Sequence, residues 1–150
     1  MTITLRPALP EDAGFAALCA SAAYAPWIPA VGRKPWPMEQ DYHEVIANDR
    51  VLIAEQDGQP VGLLVTRETP EGFLVDNLAV LPECKGTGIG RQLLIRAEED
   101  AGGLGYRSLY LYTHENMADN IELYARAGYQ EYDRRQDGDF RRVYMRKDLA

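Results

Sequence analysis

The chain has 150 residues, with 23 acidic against 16 basic side chains and a formal net charge of −7. That length suits one domain, residues 1–150, with room for a buried core, and the acidic balance argues against a general nucleic-acid binder, which needs a basic surface. Two cysteines, Cys19 and Cys84, lack metal spacing and are too few for a disulfide framework, so a reducing compartment is expected and no metal site is.

Taken in chain order, ITLRPALPED reads as a short strand and a proline-punctuated turn, with Asp12 near a helix start. A helix is predicted through AGFAALCASAAY, ended by Pro26 and Pro29. YAPWIPAVGRKPWPM follows as an irregular stretch with four prolines and two tryptophans, and EQDYHEVIAND as a short helix whose His43 and Glu44 face solvent. RVLIAEQDGQPVGLLVTRE carries a hairpin signal, two apolar runs around QDGQ, and GFLVDNLAV adds a third strand stopped by Pro82. Ile89, Leu93, Leu94, Ala97, Ala101 and Leu104 recur on one helical face, closed by Gly102, Gly103 and Gly105. RSLYLYT is a strand, NMADNIELYARAG a helix ending at Gly128, and the last segment a hairpin turning at Asp137-Gly138. The strand-helix-strand over 73–113 predicts a right-handed crossover with two parallel neighbours. No apolar run reads as long enough to span a bilayer, and the polar start is unlike a signal peptide. A soluble, cytoplasmic protein is the expectation.

The segment ECKGTGIGRQLL sits between the third strand and its following helix. It is no P-loop, because Gly90 is followed by Arg91 and Gln92 rather than Lys-Ser/Thr. Nor is it the dinucleotide fingerprint, since its spacing is G-x-G-x-G. Glycines there let backbone amides approach an anion at the start of a helix, at the carboxyl end of a strand where ligands of open sheets bind. The plain alternative is a glycine-rich turn that caps a helix.

Together, the element order and two motifs resemble the GNAT superfamily of N-acyltransferases over nearly the whole chain. The first motif is LAVLPECKGTGIGRQLL, with Lys85 in place of the usual Arg or Gln and Gly88 and Gly90 in the glycine positions. The second is NIELYARAGY, with Asn120, Tyr124, Gly128 and Tyr129. The resemblance implies an α/β (α+β) domain with a mixed, mostly antiparallel sheet of about seven strands, a central parallel pair and about four helices. It implies acetyl-CoA as cofactor, its diphosphate held by Lys85, Gly86, Thr87, Gly88, Ile89, Gly90 and Arg91. Its pantetheine would run along Leu78, Ala79 and Val80 toward Asn120 and Tyr124. It further implies acyl transfer to a small-molecule or peptide amine, with no nucleic-acid or membrane partner and a homodimer left open.

Asp76 alternates with Leu74, Leu78 and Val80 in the third strand, a carboxylate on an apolar face, and is the candidate base. The family's bulge in this strand makes the Val80 amide the candidate oxyanion donor, and Tyr124 is the candidate acid. Asp76 stands against a reading as a satisfied strand-end polar group, and Tyr124 against one as a core aromatic. Tyr24, Trp27, Ile28, Trp36 and Met38 are read as an aromatic acceptor pocket with Asp76, or equally as side chains pinning a loop to the core. Cys84 and the terminal arginines 134, 135, 141 and 142 read as ordinary surface groups. The rival function is a non-catalytic acyl-CoA-binding or regulatory module, which would be free to lose Asp76 and Tyr124. Nucleic-acid binding through the terminal arginines is a weaker third.

Overall fold

The computed structural model describes residues 2–149. Seven strands form one sheet in the order β1-β2-β3-β4-β5-β7-β6. They are β1 (Ile3–Pro7), β2 (Arg50–Gln56), β3 (Gln59–Thr69), β4 (Gly72–Val80), β5 (Ser108–His114), β6 (Gln130–Asp137) and β7 (Phe140–Asp148). Only β4 and β5 pair in parallel. The helices are α1 (Ala13–Tyr24), the single turn α2 (Ile28–Val31), α3 (Tyr42–Asn48), α4 (Ile89–Gly103) and α5 (Ala118–Arg126). The expected seven strands, the parallel pair and the four longer helices are all present.

Both sheet faces are covered, which is why β2 and β3 read as continuous apolar runs instead of alternating ones. One face takes α1 through Ala13, Ala16, Cys19 and Ala20, small residues that let the helix lie close on Val51, Ile53, Leu63, Val65 and Ala79. The other takes α4 through Ile89, Leu93, Leu94, Ala97 and Ala101, packed on Leu52, Leu64, Val75, Leu109 and Leu111. Leu104 falls beyond α4 and is exposed, so the predicted stripe ends one turn early. The β2–β3 turn places Asp57 at φ 52° and Gly58 at φ 82°, the mirror-image turn that suits a two-residue hairpin. In the last hairpin the central pair is Gly138-Asp139, one residue later than predicted, because Asp137 already pairs with Phe140.

The stretch after α1 is more ordered than expected. Pro10–Asp12, α1, a 3-10 turn over Ala25–Trp27 and α2 run end to end as one helical path, Pro10–Val31, of 22 residues. Pro26 and Pro29 occupy first-turn positions of their segments, where no amide is needed, so they restart helix rather than break it. By length and composition this path is long enough and apolar enough to cross a bilayer, contrary to the expectation that no such run exists. Its Ala16, Cys19 and Ala20 are buried against the sheet. A further 3-10 turn covers Trp36–Glu39.

Asp12 joins β1 to α1. Its carboxylate accepts from both terminal nitrogens of Arg6, at 2.8 and 2.9 Å, and from the Leu9 amide at 2.7 Å. Those Arg6 bonds, aided by the Leu9 amide, hold the Asp12 carboxyl below the usual carboxylate range. A depressed folded-state pKa contributes stability above the unfolded value, near ~3.9, that disappears as pH falls through the folded value. Asp12→Asn should therefore cost about 1.5–3 kcal/mol at pH 7 and lose less stability than the parent as pH drops from 5 toward 3. Urea melts across that range measure both effects.

Candidate active site

β4 and β5 pair only between Phe73–Val75 and Leu109–Leu111 and then diverge. A bulge begins the divergence. Val65 of β3 faces Asn77 while Thr66 faces Val75, so Asp76 is an extra residue on β4. An extra residue reverses the alternation of side chains beyond it. Phe73 and Val75 face α4 before the bulge, and Leu78 and Val80 do so after it, while Leu74 joins Tyr110 and Tyr144 on the opposite face. Asp76 thus shares no apolar face with Leu78 and Val80, contrary to the strict alternation read from the sequence. It turns instead to Tyr112, whose hydroxyl donates to Asp76 Oδ1 at 3.0 Å. The strand's irregularity also lies at Asp76, not at Val80.

Past the bulge, one edge of β4 has no strand partner. The Leu81 amide donates to the Val61 carbonyl on β3. With a period of two, the Val80 amide points the other way, into the gap between β4 and β5. The Leu78 carbonyl points there as well and receives the Tyr24 hydroxyl at 3.3 Å, which also lies 3.1 Å from Asn77 Oδ1.

The glycine loop borders a cavity of about 680 Å³ on one side of this gap. Gly86 and Gly88 have φ of 80° and 86°, left-handed conformations that glycine adopts without strain. A Cβ at either would meet no atom within 4 Å, so both positions face open space. The first intrahelical bond of α4 runs from the Gln92 amide to the Gly88 carbonyl. The six amides from Gly86 to Arg91 have no hydrogen-bond acceptor among the described residues, and the Gly88 cap supplies none. Thr87 spends its hydroxyl on the Cys84 carbonyl, and Lys85 and Arg91 are exposed at the rim. The cavity continues past Leu78 and Val80 to Asn120, Leu123 and Tyr124 of α5. Burial raises the Tyr124 hydroxyl to about 12, so it stays protonated.

A second, narrow cavity of about 20 Å³ lies on the other side of the gap, bounded by Trp36, Asp76, Tyr112 and Met117. Tyr24, Leu78, Asn120 and Tyr124 line both cavities and form the partition between them. Trp36 is held there by ring contacts to Tyr112 (5.4 Å) and Phe140 (5.1 Å). A relay of hydrogen bonds fixes its neighbour: Asn77 Nδ2 donates to the Tyr42 hydroxyl (2.9 Å), which donates to the Pro37 carbonyl (2.6 Å).

The structure thus gathers Asp76, Tyr24, Trp36 and Tyr124 around the strand gap. Trp27 lies apart, bordering the larger cavity with the glycine loop. Arg142 is no surface charge. Its side chain is only 18% exposed, with its guanidinium 4.5 Å from the Trp36 ring and 4.2 Å from the Tyr112 ring. Asn77, Tyr112 and Arg142 were not legible as site residues. The one available signal was the Asp76-Asn77 pair, two polar residues inside an otherwise apolar strand.

The model of the acetyltransferase (GNAT) family matches residues 19–129. An IAA acetyltransferase from Azospirillum brasilense is 34% identical over 84 residues, 55% of this chain and 55% of that protein, so the chain spans about half the length of that relative. The PaiA N-acetyltransferase of Thermoplasma acidophilum, solved in complex with coenzyme A, superposes with a TM-score of 0.83 at 21% identity, covering 99% of this chain and 100% of that one. The GCN5-related N-acetyltransferase of Rhodopseudomonas palustris gives a TM-score of 0.79 at 27% identity, over 99% and 97% of the two chains.

Trp36 wedges its indole among Tyr112, Phe140 and Arg142, so its loss leaves a hole. Trp36→Ala should lower stability by about 3 kcal/mol, and Trp36→Phe by much less because a ring remains. Thermal melts of the two variants test the wedge.

Proposed function

The chain belongs to the acetyltransferase (GNAT) family, and from that premise we propose that it moves an acetyl group from acetyl-CoA to a primary amine by direct attack in a ternary complex. One observation carries the reading. Six amides, Gly86 to Arg91, are unpartnered among the described residues, and five of these residues, all but Thr87, line a cavity that leads along an unpaired strand edge to the partition beside Asp76. A diphosphate needs several converging donors, and a curved loop at a helix start supplies them with the helix dipole behind. Leu78 and Val80 with the exposed Leu123 and Ile95 give the apolar walls that a pantetheine arm requires. Bound there, acetyl-CoA supplies the thioester whose carbonyl carbon the amine attacks.

The chain's own groups have three tasks. Asp76 takes the amine's proton, directly or through a water. Its Oδ2 has no hydrogen-bond partner among the described residues, Tyr112 being bound to Oδ1. Freeing a lysine-like amine of its proton at pH 7 costs about 4–5 kcal/mol, which a positioned base lowers. The Val80 amide, turned into the strand gap, stabilises charge on the carbonyl oxygen. Tyr124 holds its proton for the departing sulfur as the carbon–sulfur bond breaks. The acceptor enters from the Asp76 side, since the two cavities meet only at the partition. A reducing cytoplasm suits the two free cysteines, and a small-molecule or peptide amine suits the narrow acceptor side. A regulatory acyl-CoA binder of the same fold would bind the thioester without turning it over.

Coenzyme A binding, measured by calorimetry, tests the loop. Gly88→Val should abolish it, because valine tolerates φ 86° poorly and its side chain would fill the open side of the loop. Gly90→Ala should leave binding nearly intact, since its Cβ would sit 3.8 Å from Leu78 and Val80, an ordinary contact. Lys85→Ala should weaken it only a few-fold. A Lys85 loss as large as that of Gly88→Val would mean that side-chain charge, not backbone, holds the diphosphate.

Turnover, read as free thiol against a broad amine panel, tests the chemistry. Asp76→Asn should lower the rate by about 10²–10⁴, and the deficit should shrink with rising pH as the amine deprotonates unaided. Tyr124→Phe should lower kcat about tenfold or more while leaving coenzyme A binding unchanged. With the Tyr124 hydroxyl at about 12, the parent enzyme should show no alkaline fall in kcat below about pH 10. Binding without turnover of any amine would favour the regulatory module.

A further inference from the structure

We propose that the acceptor carries a carboxylate next to its amine, and that Arg142 and the indole N–H of Trp36 hold that carboxylate; the proposal rests on the acetyltransferase reading and names its substrate class. Among the described residues, three buried side-chain polar atoms lack a hydrogen-bond partner: Trp36 Nε1, Arg142 Nε and Asp100 Oδ2. The first two are donors in one stack: Trp36 and Tyr112 line the Asp76 cavity, and Arg142 lies against their rings, one layer behind that wall. A buried donor without an acceptor is costly and rare. Two of them side by side, beside a candidate acceptor pocket, describe a place for an oxygen-bearing group.

The charge at this place selects an anion. The Arg142 guanidinium has five donors, yet among the described residues its one carboxylate contact is Nη1 to Asp137 Oδ2 at 3.3 Å, an oxygen that also receives the Tyr144 hydroxyl at 2.8 Å. A planar fork of this kind matches a carboxylate edge to edge. The rings of Trp36 and Tyr112 on its faces keep it oriented and partly dehydrated. Asp76 stands at the hydroxyl end of Tyr112, and Arg142 stands over the Tyr112 ring. The negative and positive groups are therefore separated by about one tyrosine ring, which a short amino acid spans with its ammonium at Asp76 and its carboxylate at Arg142.

Arg67 lies 3.8 Å from Asp76, at the ammonium end of the site, and a diamine would bring its remote ammonium up to the Arg142 guanidinium instead of a carboxylate. The cavity of about 20 Å³ accepts a group of about one water's size. Seating a whole amino acid therefore requires the Trp36 side of this wall to move outward while Tyr112 keeps its contact with Arg142.

The test compares each common α-amino acid with its own carboxamide, and with simple diamines, as acceptors for acetyl-CoA. The neighbouring carboxylate raises the amine's pKa, so without recognition the carboxamide would react faster. The acid form of at least one amino acid should instead exceed its carboxamide by about tenfold or more in kcat/KM and should also exceed every diamine. Arg142→Gln should shrink that ratio to within about threefold, and Trp36→Phe, which keeps an aromatic ring but loses the indole N–H together with the five-membered ring, should reduce it partially. Carboxamides or diamines used as well as the acids, or a preference for acids that survives both substitutions, would overturn the proposal. Absence of turnover with every amine would overturn the acetyltransferase reading and this one with it, whereas turnover without acid preference would overturn this one alone.

Discussion

The site depends on one defect in the sheet, the extra residue at Asp76 in β4. A regular β4 would continue its pairing with β5 and bury its outer row of backbone groups in a ladder. With the bulge, pairing stops after Val75, and the Leu78 carbonyl and Val80 amide are left facing a gap. Unpaired backbone groups at the centre of a sheet are costly unless something satisfies them. Tyr24 satisfies the first, and the second faces the gap without an acceptor among the described residues. The same extra residue reverses the side-chain alternation, and so it alone sends Asp76 to one side of the sheet and Leu78 and Val80 to the other. A single insertion thus separates the Asp76 side of the gap from the apolar channel along Leu78 and Val80.

The glycine loop, in a chain of net charge −7, likewise presents backbone donors and not side chains. The donors at the glycine loop are amides, whose partial charges belong to the chain direction and not to side-chain composition. They need only glycines at Gly86 and Gly88 to turn the loop and the absence of a capping side chain. Close packing elsewhere keeps the loop in place. A Cβ on Gly62 would stand 2.9 Å from the Ala79 carbonyl, so β3 and β4 can approach closely just ahead of the loop because that position has no side chain. Glu98 of α4 accepts from Lys147 at 3.0 Å and from the Tyr129 hydroxyl at 3.1 Å, tying the helix behind the loop to β7 and to the residue after Gly128.

On the acceptor side, aromatic rings and hydrogen bonds do the positioning. The relay from Asn77 through Tyr42 to the Pro37 carbonyl crosses from β4 to α3 and to the segment that carries Trp36. Asn116 Nδ2 donates to the Ala30 carbonyl at 2.9 Å, and Arg33 pairs with Asp139 at 2.6 Å. The stretch between α1 and α3 is therefore pinned to the β5–α5 loop, to the β6–β7 turn and, through Tyr42, to β4. Its four prolines restrict the unfolded chain and so lower the entropy lost in ordering it.

Local pattern was enough to read the strand and helix order, the crossover and the glycine loop, because alternation, helical spacing and turn residues are properties of neighbours along the chain. That information also placed Tyr124 and Asn120 on α5 and Gly88 at the head of α4. It failed where the outcome depends on partners distant in sequence. The bulge at Asp76 is set by the β3 register, which no periodicity within β4 encodes. Arg142 looked like one of several strand arginines until Trp36, more than a hundred positions earlier, was found stacked on it. Trp27 and Trp36 share one short segment, yet they fall in different cavities because the helical turns between them rotate one toward α4 and the other toward β5. The sequence by itself determined which elements form and which loop offers its amides. Only the tertiary structure decided which side chains meet across the strand gap, because those contacts are the packing of surfaces that the chain brings together only when folded.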